Sequence, residues 1–437
     1  KMFLQNAISK RINDNNPVKV ALIGAGKFGS MFLSQVPSTL GIEVLVIADL
    51  KPDNAVKACK NVGWSDDLIN KTKFVDRGTD AIKLNEVEVV IEATGFPAAG
   101  IEHARQAFQN GKHIIMVNVE ADVLAGAALV KEANSAGVVY SMAYGDQPAL
   151  TAEIVEWARA SGFNVTSAGK GTRYQPIYHK SSPDTVWDYY GLTHEEAKKA
   201  GMNPKMFNSF LDGTKSGLEM AAIANACDLD VPTNGLLFPP CGMDDLANVL
   251  KPIKAGGFLE KNGQVEVVSS LERDGRPVFK DLRWGVFAVL EAPNDYAASC
   301  FKQYGMNTDD TGKFSAMYKP FHLIGMELNI SVFSAALLNQ ATGQTKKFTG
   351  DVVSTTKTIL KKGEILDGEG GATVWGKLVP SKLSLSMEAL PIGLAHGIRL
   401  KNEIKENKII TWNDVDYLPS DPAILYRRKM ENDFKKS

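Results

Sequence analysis

The residues best suited to chemistry begin with three glycines in the run Gly24-Ala-Gly-Lys-Phe-Gly29, directly after the apolar stretch Val18–Ile23. In that setting Gly24 permits a tight strand-to-helix turn, Gly26 lets backbone approach a pyrophosphate, and Gly29 lets helix pack on strand. The helix N-terminus then faces the anion, with Lys27 and Phe28 in the loop before it. Asp49, twenty residues after Gly29, closes a second apolar run, where a carboxylate can accept hydrogen bonds from ribose hydroxyls. Asp49 by itself favours NAD, because it repels the extra phosphate of NADP. Lys51 or Lys27 offsets that repulsion, so these residues leave the choice between NADP and NAD open. Ala93-Thr94-Gly95 and Asn118 follow later apolar runs and are expected beside the same dinucleotide.

Four further groups carry charge where it demands a reason. Glu120 and Asp122 follow a buried run; capping of a helix accounts for Asp122, whereas Glu120 is a candidate for acid/base work, substrate orientation or metal binding. Asp146 and Gln147 lead into a helical stretch and can face the nicotinamide or simply make a turn and cap. In Gly169-Lys-Gly-Thr-Arg-Tyr174, followed by Lys180, the basic groups Lys170, Arg173 and Lys180 suit an anionic substrate, with the flanking glycines giving flexibility. Lys215 and Glu219 are four apart in a run with Leu218, Ala221, Ala222 and Ala224, which suggests a buried pair on one helix face.

These groups need a scaffold, and the pattern supplies one. Val18–Ile23, 44–48, 87–93, 113–119 and 138–142 read as buried strands, with helical segments at 98–109 and 124–136 between the last three. The expected fold is α/β: a Rossmann domain with a doubly wound parallel sheet over residues 1–147, a central α+β catalytic region over 148–349, and a small β-rich module over 350–437. In that tail, Ile359-Leu-Lys-Lys-Gly-Glu-Ile-Leu366 and Ile404-Lys-Glu-Asn-Lys-Ile-Ile-Thr411 repeat one theme of apolar anchor, polar turn and apolar pair. The apolar run 323–338 fits either a core helix or a contact within a homo-oligomer.

Composition narrows the partners. With a net charge of -1, 44% hydrophobic and 23% charged residues, nothing favours nucleic acid or an anionic membrane, and a small molecule fits better. The four cysteines show no metal-ligand spacing and suit a reducing compartment; with no signal peptide or membrane span in the pattern, the expectation is cytoplasmic.

Laid in order, these motifs resemble the homoserine dehydrogenase-like oxidoreductases that carry a C-terminal SAF domain, the tail matching through Leu366-Asp-Gly-Glu-Gly-Gly371, Gly376-Lys-Leu-Val-Pro380 and Leu390-Pro-Ile-Gly-Leu-Ala-His396. Within that family the chain is similar to the 1-deoxy-D-xylulose 5-phosphate reductoisomerase-like group. That resemblance implies NADPH-dependent conversion of 1-deoxy-D-xylulose 5-phosphate to 2-C-methyl-D-erythritol 4-phosphate, an isoprenoid precursor of the methylerythritol phosphate route. It implies a divalent cation, Mg or Mn, near Glu120 or Glu219, and a sugar phosphate held by Arg173 and Lys180, with Lys170 or Lys215 at the reacting oxygen. True homoserine dehydrogenases carry Asn-Lys after the fourth strand and Asp, then Lys, on the catalytic helix. Here Glu120 and the order Lys215, Glu219 depart from both, and a dehydrogenase of a polyhydroxy acid or amino acid is the alternative.

Overall fold

Val18–Ile23 is rich in β-branched residues and almost wholly buried, as a strand covered on both faces must be. It forms β1 of a parallel sheet with β2 (Ile42–Ala48), β3 (Lys73–Val75), β4 (Val89–Glu92), β5 (His113–Met116) and β6 (Tyr140–Met142), in the order β3-β2-β1-β4-β5-β6. The computed structural model describes residues 4–436. Helices α1 (Lys27–Gln35), α2 (Pro52–Asn61), α3 (Gly78–Ile82), α4 (Pro97–Gln109) and α5 (Val119–Ala136) make the crossovers of this Rossmann-like unit. Its core gathers Val20, Leu22, Phe32, Ile47, Ile91 and Ile115.

The sequence pattern missed β3, a three-residue edge strand that is only half buried and so lacks an apolar run. It also carried the strand after His113 through residue 119. Asn118 caps α5, its Oδ1 accepting from the Ala121 N–H at 3.0 Å, so Glu120 lies in a first helical turn and not at a strand end.

Two compact units divide the chain, one formed by residues 1–153 with 322–346 and the other by 154–321 with 347–437. Of the run 323–338, Leu328, Val332, Phe333 and Ala335, the last three on the helix Asn329–Leu338, belong to the core of the first unit, whereas Leu323, Met326 and Leu338 are exposed. Helix α6 (Gln147–Ala160) carries the division between Glu153 and Ile154.

The second unit is built around α7 (Thr214–Cys227), a helix buried at every position but Lys215. One side packs on a four-stranded sheet of β7 (Asn164–Thr172), β8 (Gln264–Ser269), β9 (Val286–Glu291) and β10 (Phe314–Lys319), ordered β10-β9-β7-β8. The other meets the antiparallel pair β11 (Gly350–Thr356) and β13 (Val374–Pro380), separated in sequence by β12 (Ile365–Asp367). Strands β12, β14 (His396–Leu400) and β15 (Val415–Asp416) make a third small sheet. The two copies of the tail theme pair with each other: Leu360 and Ile404 exchange backbone hydrogen bonds, each 2.9 Å.

Candidate active site

The loop after β1 is shaped by what each glycine excludes. Gly24 has φ +96°, and a Cβ there would fall 2.7 Å from the Ala93 carbonyl oxygen. A Cβ at Gly29 would collide with the Gly24 carbonyl oxygen. Gly26 differs, for a Cβ there would meet nothing within 4 Å and the residue is exposed at the cap of α1. The fold therefore requires Gly24 and Gly29, and leaves at Gly26 the open cradle that a pyrophosphate would fill. Lys27 is exposed in the first turn of α1, and Phe28 is half buried against the core. Gly95, with φ +73°, likewise has open space where a Cβ would point.

Asp49 sits at the carboxyl end of β2, as its spacing predicts. Its carboxylate is already engaged: Oδ2 accepts from the Ala25 N–H at 3.2 Å and Oδ1 from the Lys51 N–H at 2.9 Å. It ties the glycine loop to the start of α2.

Sequence reasoning passed over Glu92, the last residue of β4. Fully buried, it accepts from Thr94 Oγ1 at 2.6 Å and Asn118 Nδ2 at 3.0 Å, and pairs with His103 Nδ1 at 3.1 Å. Asn118 Nδ2 also donates to the Phe96 carbonyl at 2.8 Å. Thr94 and Asn118 thus shape the carboxyl edge from within, and a buried Asn118 is committed to the loop that carries Gly95. A carboxylate at the end of the run 87–93, read as a buried strand, was the available signal.

Asp122 is not a helix cap, since Asn118 fills that position. It is buried, accepts from Tyr140 Oη at 2.8 Å and Thr345 Oγ1 at 3.1 Å, and burial pushes its pKa up to about 6. Glu120 is buried in the same turn. Buried Asp146 precedes α6 and accepts at Oδ1 from the N–H of half-buried Gln147 at 2.9 Å. Tyr144 hydrogen-bonds Glu153, and burial with that carboxylate raises its pKa.

In the second unit, β7 carries Lys170 inward to form an ion pair with Glu219 of α7, the two side chains 7% and 3% exposed. The sequence paired Glu219 with Lys215 on helical spacing; Lys215 is half buried in the first turn of the same helix. The glycines around Lys170 are not flexible. A Cβ at Gly169 would collide with the Glu266 carbonyl and one at Gly171 with the Leu282 carbonyl, so both permit close strand packing. The expected basic cluster is divided among separate partners: Arg173 donates from Nη2 to the Tyr189 carbonyl at 3.0 Å, and Lys180 pairs at the surface with Glu406 at 2.5 Å.

A cavity of about 220 Å³ lies beside the start of α7, lined by His179, Asn234, Phe238, Trp375, Lys377 and Leu378 among others. His179 stacks on Trp375 with centroids 4.1 Å apart and is fixed by contacts to Tyr174 Oη at 3.0 Å and the Asp212 carbonyl at 2.8 Å. Burial lowers its pKa. One wall, 236–238, hangs on buried Glu266, which accepts from the Leu237 and Phe238 N–H groups and whose pKa burial pushes up to about 7.

Metal roles for Glu120 and Glu219 do not fit these surroundings. Among the described residues no three His, Cys, Asp or Glu side chains gather to hold an ion, and the Glu219 carboxylate is neutralised by Lys170. All four cysteines are free, and no described helix is long and apolar enough to cross a membrane.

Comparison with known proteins adds the decisive observation. Residues 24–143 match the homoserine dehydrogenase NAD binding domain, and residues 145–328 match the catalytic domain of oxidoreductase DRL. The first match is to a dinucleotide-binding domain and the second to a domain of an oxidoreductase. No curated protein matches the chain in sequence. Among solved structures, a homoserine dehydrogenase from Thiobacillus denitrificans is 15% identical over 78% of this chain and 83% of its own, with a TM-score of 0.43. The 1-deoxy-D-xylulose 5-phosphate reductoisomerase from Zymomonas mobilis, in complex with NADPH, is 14% identical over 73% of this chain and 80% of its own, at 0.36. A 3-ketoreductase from Actinomadura kijaniata, in complex with NADP, is 16% identical over 37% of this chain, at 0.26. The chain spans about half the length of that ketoreductase.

Proposed function

We propose that the chain is an NADPH-dependent reductoisomerase that converts 1-deoxy-D-xylulose 5-phosphate to 2-C-methyl-D-erythritol 4-phosphate. The observation that carries this reading is the buried Lys170–Glu219 pair inside the segment matching the DRL catalytic domain. Rearrangement of an α-ketol moves one carbon–carbon bond and shifts the proton of one hydroxyl to the former ketone oxygen, leaving an aldehyde. NADPH supplies the hydride that reduces it. Lys170, paired with Glu219, donates a hydrogen bond to the oxygen where negative charge develops and supplies the proton that completes the alcohol, with Glu219 holding the lysine in place. No step is assigned to a divalent cation. The same reading takes residues 350–437 as a SAF-like module and the enzyme as a cytoplasmic homo-oligomer; the four free cysteines support the reducing setting.

One observation favours a second reading, a dehydrogenase of a polyhydroxy acid or amino acid. Arg173 and Lys180, the residues expected to hold a phosphate, are engaged with Tyr189 and Glu406. The deciding experiment follows NADPH oxidation with 1-deoxy-D-xylulose 5-phosphate and other sugar phosphates, and NADP reduction with homoserine and hydroxy acids, with carbon NMR of the product. A branched product supports the reductoisomerase. Turnover of an unphosphorylated hydroxy acid alone overturns it in favour of the dehydrogenase, and cofactor binding without any turnover overturns both.

A further inference from the structure

We infer that Arg77, helped by Lys51, receives the 2′-phosphate of the cofactor's adenosine and makes this chain select NADPH over NADH; this rests on the dinucleotide reading of the first unit. Strands β2 and β3 run parallel with Ala48 opposite Val75, and the Asp49 N–H donates to the Val75 carbonyl at 3.0 Å. That register brings residues 76–77 to the carboxyl edge alongside residues 49–51, where the ribose of a bound dinucleotide is expected.

The base of Arg77 is fixed. Its backbone is extended, with φ -124° and ψ 127°, and its carbonyl accepts from the Asp80 N–H at 3.2 Å. The following residue, Gly78, is so tightly packed that a Cβ there would fall 2.9 Å from Ile23 Cγ2, at the end of β1. The side chain, by contrast, is exposed, and among the described residues no hydrogen bond or ion pair engages its guanidinium. A pinned backbone with a free planar fork suits bidentate capture of a phosphate.

Asp49 points the same way. Both its oxygens accept from backbone N–H groups, whose positive ends face the carboxylate and blunt the repulsion that an unengaged one would direct at the phosphate. The other acids of this edge have their own settings: Asp53 and Asp80 lie in the first turns of α2 and α3, where the helix dipole favours them. Asp76 precedes Arg77 at an exposed bend after β3. Lys51 is exposed at the cap of α2 and adds a second positive charge beside Asp49.

The test is a binding titration, by cofactor fluorescence and calorimetry, of NADPH, NADH, 2′,5′-ADP and 5′-ADP on the full chain and on Arg77→Ala, Arg77→Lys and Lys51→Ala. Because the Arg77 side chain supports nothing in the fold, Arg77→Ala should unfold like the parent protein. NADPH and 2′,5′-ADP should bind the parent more tightly than NADH and 5′-ADP, and Arg77→Ala should lose about 10- to 100-fold for the phosphorylated pair alone, the range for charge-assisted hydrogen bonds. Arg77→Lys should recover part of that loss, and Lys51→Ala should show a smaller one in the same direction. Equal affinities for the two cofactors, or an equal loss for both in Arg77→Ala, overturn the proposal while leaving the dinucleotide site intact. Failure of the parent to bind either cofactor overturns the dinucleotide reading itself, and the proposal with it.

Discussion

Replacing Glu219 with glutamine should test the buried pair most directly. The substitution keeps the shape of the side chain but leaves the Lys170 ammonium, 7% exposed, without its counter-charge. Breaking a buried ion pair from one side costs about 3–5 kcal/mol, against a total stability of about 5–15 kcal/mol for a domain. Lys170→Met should cost a similar amount, because it leaves the carboxylate stranded instead. The double variant Lys170→Met with Glu219→Leu removes both charges, and apolar replacements of a buried pair are commonly neutral or stabilising, so most of the loss should be regained. With the single variant Glu219→Leu added, urea unfolding at pH 7 of the parent, Lys170→Met, Glu219→Leu and the double variant closes a double-mutant cycle, in which the double variant should lose far less than the sum of the two single losses. Activity should divide differently: Lys170→Met and the stable double variant should lose turnover because the proton donor is gone, and Glu219→Gln because the donor has lost the partner that positions it. Unfolding of Glu219→Gln within about 0.5 kcal/mol of the parent, well below the cost of stranding a charge, would refute the buried pair. Turnover retained by the double variant would refute its chemistry.

Gly26→Val should fold normally, since φ is -71° and a Cβ there meets nothing, yet lose more than about tenfold in dinucleotide affinity by cofactor titration through a clash with the pyrophosphate. Asp122 has a folded pKa of about 6 against 3.8 for the free acid, so its contribution to stability is full below pH 4 and is lost as pH rises through 6. That loss amounts to about 3 kcal/mol; unfolding free energies across pH 4–7 should fall less steeply in Asp122→Asn than in the parent, and identical profiles would contradict the assignment. Arg173→Ala should destabilise by about 1.5–3 kcal/mol through the lost bond to the Tyr189 carbonyl, whereas exposed Lys180→Ala should leave thermal unfolding nearly unchanged.

The dinucleotide half was legible because its motif is local. Gly24, Gly26, Gly29 and Asp49 are specified by one turn and one strand end, and a βαβ unit leaves little freedom in where they go. Glu92 was not legible. It stands in a short apolar strand, and its meaning comes from Asn118 and His103 on two other elements. The helical pair illustrates the same limit: a spacing of four puts Lys215 and Glu219 on one face, but the cation that Glu219 meets comes from β7, which periodicity does not reveal. Strand β7 itself was hidden, because Ser167, Gly169, Lys170 and Gly171 interrupt the apolar pattern that marks a buried strand. Its glycines read as loop residues until the carbonyls of Glu266 and Leu282 show why no side chain fits.

Residue type thus says less about function than the surroundings do. Gly24, Gly29, Gly169 and Gly171 are explained wholly inside the chain, by positive φ or by backbone that a Cβ would strike. Gly26 has neither reason: its dihedrals suit any residue and its Cβ space is empty. Arg77 stands in the same position among the charged groups, held firmly by its backbone yet with no internal partner for its head group among the described residues. Asp49 is the opposite, a residue whose spacing points to the ligand but whose oxygens hold the loop together. Asp49→Ala should therefore loosen the loop and weaken both cofactors, and not simply shift preference toward NADPH as charge alone would suggest. The comparison of Asp49→Ala with Arg77→Ala separates the two roles: one variant should lose affinity for both dinucleotides, the other for the phosphorylated one only. If Asp49→Ala instead improved NADPH binding while sparing NADH, repulsion would be its main effect and the two backbone hydrogen bonds would count for little.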